Sequence, residues 1–128
     1  MAAFVLIADD DAAVRKGLRR LLGMMPELLV VGEARDGEEA VRLALEHQPS
    51  VVLMDIAMPQ VDGLEATRQI RLQAPNVRVL TMTALPCADL IRKALKAGAE
   101  GFLAKPAVAD ELPRALAAGT RFITPFVD

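Results

Sequence analysis

The chain holds 128 residues, 53% hydrophobic and 25% charged, with a formal net charge of −2, one cysteine and neither Trp nor Tyr; one core and no second domain are expected at this size. The acidic balance argues against a dedicated nucleic-acid surface on this segment, and the absence of Trp and Tyr with four scattered Phe argues against a stacking platform. Apolar runs stay far below the roughly 18 residues of a membrane span, and the start, Met1 to Ala8, lacks the basic region of a secretory signal. Cys87 alone cannot form an internal disulfide, so a reducing, cytoplasmic setting is expected.

Phe4-Val5-Leu6-Ile7-Ala8 is a short apolar run that ends abruptly in Asp9-Asp10-Asp11, which predicts a buried strand with acids at its carboxyl end. Asp11 is placed to cap a helix whose apolar positions Val14, Leu18, Leu21, Leu22 and Met25 recur at helical spacing. Arg15, Lys16, Arg19 and Arg20 take its other side, either as a solvated face or as a docking surface for an acidic partner. Pro26 stops that helix, and Leu28 to Ala34 reads as a second strand at a sheet edge. Asp36-Gly37 turns into a helix over Glu38 to His47. Its inward stripe is either Ala40, Leu43, Ala44 and His47 or Val41, Ala44 and Leu45. His47, the only histidine, sits at the helix end, where the dipole favours a cation.

Val51-Val52-Leu53-Met54 is too short for a helix and rich in β-branched residues, so it predicts a strand buried on both faces, with Asp55 where it runs out. Pro59 and Asp62-Gly63 force a turn, and Asp62 caps a helix over Leu64 to Ala74 that Pro75 closes. Val77 to Ala84 is a strand with the Thr83 hydroxyl at its carboxyl end. Pro86 suits the start of a helix through Leu90, Ile91, Ala94 and Leu95 to Gly98, with Cys87 in its first turn. Gly101 to Ala104 is the fifth strand and ends in Lys105-Pro106. A last helix is expected from near Asp110, because Pro113 is tolerated only in a first turn, and it runs to about Gly119 with Leu112 and Leu116 inward. Residues 120–128 show no helical period and read as the beginning of a linker.

Five short strands alternating with five helical stretches imply right-handed crossovers and a parallel sheet covered on both faces, an α/β three-layer sandwich. Ligands of such sheets collect at the carboxyl ends of the strands, where Asp9, Asp10, Asp55, Thr83 and Lys105 fall. Neighbouring carboxylates repel by around 1 kcal/mol per pair in water and by more in a partly buried site. A set of oxygen ligands without His or Cys selects a hard ion such as Mg2+. With that charge masked, a carboxylate can attack an incoming phosphoryl group, whose oxygens Lys105 and the Thr83 hydroxyl would receive.

Ile7-Ala8-Asp9-Asp10, the run Leu53 to Pro59 with Asp62-Gly63, the Thr83-Ala84 pair and the run Gly101 to Pro106 resemble the receiver domain of two-component response regulators. The resemblance spans Phe4 to about Gly119. It implies a flavodoxin-like (βα)5 fold with sheet order 2-1-3-4-5 and a receiver domain over residues 1–119. It also implies that Asp55 is the phosphoacceptor for a sensor histidine kinase. Asp10, Asp55 and the backbone carbonyl of Ala57 would hold Mg2+ or Mn2+, with Asp9 helping through water. Thr83, Ala84 and Lys105 would bind the phosphate, and the Lys105–Pro106 bond would be cis. Thr83 would move toward the phosphate, and Phe102 would then turn inward and remodel the face of the fourth helix, fifth strand and fifth helix. Such a protein accepts phosphate on its own Asp and is not a multiple-turnover enzyme.

Ala8-Asp9-Asp10, Gly37-Glu38-Glu39-Ala40 and the run Ala117 to Pro125 look like the NarL/FixJ (LuxR-type) subfamily. That implies a transcription factor, a homodimer, and a helix-turn-helix domain beyond the 120–128 linker as the only route to DNA. Some positions depart from the pattern. Asp11 stands where His is common, Phe102 lacks the hydroxyl of the more usual Tyr, and Pro113 interrupts the last helix. Ala57 and Leu85 cannot hydrogen-bond an attacking water, which leaves the phosphate lifetime open. A haloacid-dehalogenase-type phosphatase would need a second Asp where Ala57 stands. The other alternative is a receiver-like interaction module that takes no phosphate.

Overall fold

The five apolar runs pair side by side as parallel strands β1 (Ala3–Ala8), β2 (Leu28–Ala34), β3 (Val51–Asp55), β4 (Arg78–Thr83) and β5 (Gly101–Ala104). The computed structural model describes residues 3–58, 61–118 and 122–123. The strand order is β2-β1-β3-β4-β5, the flavodoxin-like arrangement, with a two-residue strand β6 (Phe122–Ile123) beside β5.

That sixth strand departs from the linker expected at residue 120. Phe122 and Ile123 pair with Gly101 and Phe102, which satisfies backbone groups that the outer edge of β5 would otherwise leave open. The rest of the 120–128 segment and the turn expected at Pro59 lie outside the described residues.

Helices α1 (Ala12–Gly23), α2 (Gly37–His47), α3 (Gly63–Gln73), α4 (Ala88–Ala97) and α5 (Val108–Ala118) cover the sheet. Successive strand residues face opposite ways, so Val5, Ile7, Leu53 and Leu80 pack with Leu18 and Leu22 of α1 and Leu112 of α5. Leu6, Val52, Met54 and Val79 meet Ala40 and Ala44 of α2 and Ala66 and Ile70 of α3 on the other face. Ile91 and Ala94 of α4 close a third cluster around Phe102 and Ile56. The buried face of α2 is Ala40, Val41 and Ala44, with Leu43 and Leu45 half-buried beside it and His47 exposed, so it draws on both candidate stripes and leaves out only His47.

The carboxylates placed at helix starts do cap them. Asp11 Oδ1 accepts from the Ala13 amide at 2.8 Å, Asp36 from Glu39 at 2.8 Å and Asp62 from Glu65 at 2.8 Å. Gly98 ends α4 at φ 108, a left-handed conformation that glycine adopts without strain. Helix α1 stops at Gly23, so Met25 packs against the core from beyond its end.

Helix α5 begins two residues before the expected Asp110, which puts Pro113 inside it as the sixth residue. The proline has no N–H for the Ala109 carbonyl. What offsets this loss is burial: Val108, Leu112 and Ala115 fall on one face and are all enclosed, while Pro113 is exposed.

Two glycines make opposite demands. A Cβ on Gly63 would overlap the Asp55 carbonyl oxygen and lie 2.5 Å from Ile56 Cα, whereas one on Gly17 in α1 would meet nothing within 4 Å. Gly63→Ala is expected to destabilise by about 2 kcal/mol through overpacking, and Gly17→Ala to stabilise by about 0.5–1 kcal/mol through helix propensity. Urea unfolding midpoints of the two variants, moving in opposite directions, check this.

Candidate functional site

Chain direction creates the crevice. β1 leads into α1 on one face of the sheet, and its neighbour β3 leads into α3 on the other. The connections part between these strands, the place where parallel α/β sheets bind ligands. Asp9 and Asp10 follow the last residue of β1, and Asp55 ends β3 opposite Met82. Lys105 follows Ala104, which pairs with Thr83.

Asp9, Asp10 and Asp55 each offer a carboxylate oxygen, and these oxygens lie within 4.8 Å of one another. Asp9 and Asp55 are buried, while Asp10 is exposed. The Lys105 ammonium bridges the two buried acids, 2.7 Å from Asp9 Oδ2 and 3.2 Å from Asp55 Oδ2. The Asp11 amide donates to Asp9 Oδ1 at 2.9 Å, and the Ala57 amide to Asp55 Oδ1 at 3.1 Å. Asp9 Oδ2 has no aligned hydrogen bond, so the nearby charge of Lys105 is what compensates its burial.

Burial raises the pKa of Asp55. The Ala57 amide opposes the rise, the Asp9 charge adds to it, and Lys105 opposes it again. Burial alone would lower the Lys105 ammonium, but its pairing with Asp9 and Asp55 outweighs this and raises it. Three acids facing one ammonium, all oxygen donors, with one buried oxygen lacking an aligned donor, form a set that a hard divalent cation fits.

Residues 5–117 match the model of the response regulator receiver domain. The chain belongs to that family. It is 41% identical over 126 residues to the transcriptional regulatory protein DegU of Brevibacillus brevis, covering 96% of this chain and 53% of that one. A LuxR-family two-component response regulator from Aurantimonas sp. SI85-9A1 superposes with TM-score 0.92 at 38% identity, over 98% of this chain and 91% of that one. The receiver domain of the putative response regulator NarL from Mycobacterium tuberculosis gives 0.87 at 34%, over 92% and 95%. The chain spans about half the length of the curated relatives it matches.

The receiver fold thus brings together Asp9, Asp10, Asp55 and Lys105. Thr83 is buried at the end of β4, where its Oγ1 accepts a long 3.4 Å bond from the Leu85 amide, and Ala84 is exposed on the rim. Asp11 is engaged as the cap of α1 and is not among the clustered acids.

Two expectations need correction. The Lys105–Pro106 bond is trans, since no described residue follows a cis peptide. Trans is intrinsically favoured by about 0.5–1 kcal/mol, and Pro106 sits within a 3-10 turn over Lys105–Ala107 from which Lys105 still reaches both acids. Phe102 was expected to turn inward only after phosphate arrives, yet it is already fully enclosed by Ile56, Ile91, Ala94 and Ala99. Burying such a ring is worth roughly 1.5–3 kcal/mol, and Phe has no hydroxyl to hold it in water.

Arg15 is a residue of the site that the sequence pattern does not single out. Placed on the outer face of α1, it is instead mostly enclosed, with Nη1 2.7 Å from the Asp9 carbonyl oxygen and Nε 3.2 Å from Glu33 Oε1. Its signal was Glu33, a lone charge inside the second apolar run.

The raised Asp55 makes its ionisation a burden on the fold. Above the ordinary carboxylate range the unfolded chain has released this proton and the folded chain holds it more tightly, so stability falls as pH rises through the folded value. Asp55→Asn removes the burden. It is expected to raise the melting temperature at pH 7, with the gain shrinking as pH falls toward the ordinary carboxylate range, as thermal scans at a series of pH values would record.

Proposed function

We propose that Asp55 accepts a phosphoryl group from a sensor histidine kinase and that the resulting acyl phosphate switches the surface around α4, β5 and α5. The observation that carries this reading is the Lys105 ammonium held between Asp9 and Asp55 beside the exposed Asp10. The Asp55 carboxylate attacks phosphorus, the bond to the donor nitrogen breaks, and the electron pair leaves with the imidazole. Lys105 keeps its shorter contact to Asp9 while its contact to Asp55 gives way to a phosphoryl oxygen. Thr83, with Ala84 beside it, receives another oxygen, because its hydroxyl proton is not committed by accepting from Leu85.

Asp9, Asp10, Asp55 and the Ala57 carbonyl would hold Mg2+ or Mn2+, which supplies the positive charge that lets an anionic donor approach three acids. The burial that disfavours ionised Asp55 makes that charge matter most at the nucleophile. Since Phe102 is already inside, the switch acts through Thr83 and the exposed Ala84 and Leu85 ahead of α4. The group taken up stays on the protein's own Asp, so the domain is a signalling element and not a multiple-turnover enzyme. In the whole protein it would govern a helix-turn-helix DNA-binding domain after the 120–128 segment, act as a homodimer, and work in the cytoplasm. No helix among the described residues is long and apolar enough to cross a membrane.

Acetyl phosphate with Mg2+ is expected to add one phosphoryl group, seen by intact mass, and Asp55→Ala to add none. Absence of uptake would favour an interaction module, and repeated turnover of a phosphomonoester would favour a phosphatase. Mg2+ at a hundredfold excess over its dissociation constant should stabilise the fold by about 2.7 kcal/mol, and Asp10→Ala should abolish that gain. A melting curve indifferent to millimolar Mg2+ would overturn the metal assignment.

A further inference from the structure

Asp10 is the one acid of the cluster that is exposed, and its carboxylate has no hydrogen bond or ion pair among the described residues. Its aim is therefore set by the backbone that carries it. That backbone is tied on both sides: the Asp9 amide donates to the Ala34 carbonyl at 3.0 Å, and the Asp11 amide donates to Asp9 Oδ1 at 2.9 Å. The peptide joining Asp9 to Asp10 has a separate anchor, the Arg15 Nη1 that donates to the Asp9 carbonyl at 2.7 Å.

Arg15 is itself held. Its Nε donates to Glu33 Oε1 at 3.2 Å, while Arg19 Nε donates to Oε2 of the same carboxylate at 2.7 Å. Glu33 immediately precedes Ala34 on β2 and pairs in register with Ile7 on β1. The end of β2 therefore grips Asp9 twice, through the Ala34 carbonyl and through a guanidinium fixed by Glu33. Arg15 is only 13% exposed, so this is an enclosed arm and not part of a solvated basic face.

We propose that Arg15, oriented by Glu33, is a positioning residue that fixes the Asp9–Asp10 peptide and so presets the Asp10 carboxylate for a divalent cation. This rests on the metal reading above. The clamp and a plain charge effect predict opposite signs. As a nearby positive charge, Arg15 would oppose a cation, and its removal would tighten binding. As a clamp, its removal loosens Asp10 and weakens binding. Lysine keeps the charge but lacks the planar fork that reaches Asp9 and Glu33 together.

The test is a Mn2+ titration of the full chain, following the free ion by electron paramagnetic resonance, with thermal unfolding in chelator to report the fold. Arg15→Ala should weaken Mn2+ binding by about tenfold, the scale of outer-shell partners, and Arg15→Lys should weaken it as well. Glu33→Ala should weaken it through Arg15, so that Arg15→Ala with Glu33→Ala binds no more weakly than Arg15→Ala alone. If Arg15→Ala does not fold, Arg15→Lys and Glu33→Ala decide. Unchanged or tighter binding in the Arg15 variants, or losses that add in the double variant, overturns the clamp and leaves the metal reading standing. A wild-type chain that takes up no Mn2+ overturns both.

Discussion

One ammonium between two buried carboxylates is the contact on which the rest of this molecule depends. Lys105 lies 2.7 Å from Asp9 and 3.2 Å from Asp55; Asp9 Oδ2 has no aligned hydrogen bond, and without Lys105 it would also have no opposite charge in contact. Leaving a buried charge uncompensated is among the most destabilising single changes a fold can suffer. The same pairing leaves the site electrostatically unbalanced. Charge is concentrated where the sheet opens, and compensation by a single ammonium leaves negative charge in excess, so the cluster remains receptive to a further cation.

The sheet exists to hold that contact in place. β1, β3 and β5 contribute the strand ends, and the connections after β1 and β3 leave toward opposite faces, which opens the crevice. Close approach is built in beside Asp55. Gly63 at the start of α3 touches the Asp55 backbone so tightly that no side chain fits, and the first turn of α3 is thereby drawn against the end of β3. The core on both faces is packed with Ala, Val, Leu and Ile, so a shift at the strand ends has rigid layers to work against.

The region around α4 and β5 is asymmetric. Phe102 occupies its interior place with Ile91 and Ala94 of α4, whereas Ala84 and Leu85 between β4 and α4 lie open. The open half of this region is therefore the segment that follows Thr83. Pro113 within α5 adds a second local feature of this chain, because it removes one backbone hydrogen bond from the helix that borders the same surface.

Much of this was legible in the sequence because it is written locally. Apolar runs of strand length, caps at Asp11, Asp36 and Asp62, and acids or an ammonium where a run stops all depend on residues a few positions apart. The family motifs then supplied the strand order that alternation alone leaves open. Other features needed partners remote along the chain. Arg15 reads as one basic residue among four until Glu33 and the Asp9 carbonyl stand beside it. Phe102 turns inward because α4 offers a place for the ring, Val108 extends α5 because the core has room for it, and Phe122 and Ile123 become a strand because β5 has an open edge. Chemistry and element type were set by neighbours in sequence; direction of side chains and the ends of elements were set by neighbours in space, where burial and pairing outweigh local preference.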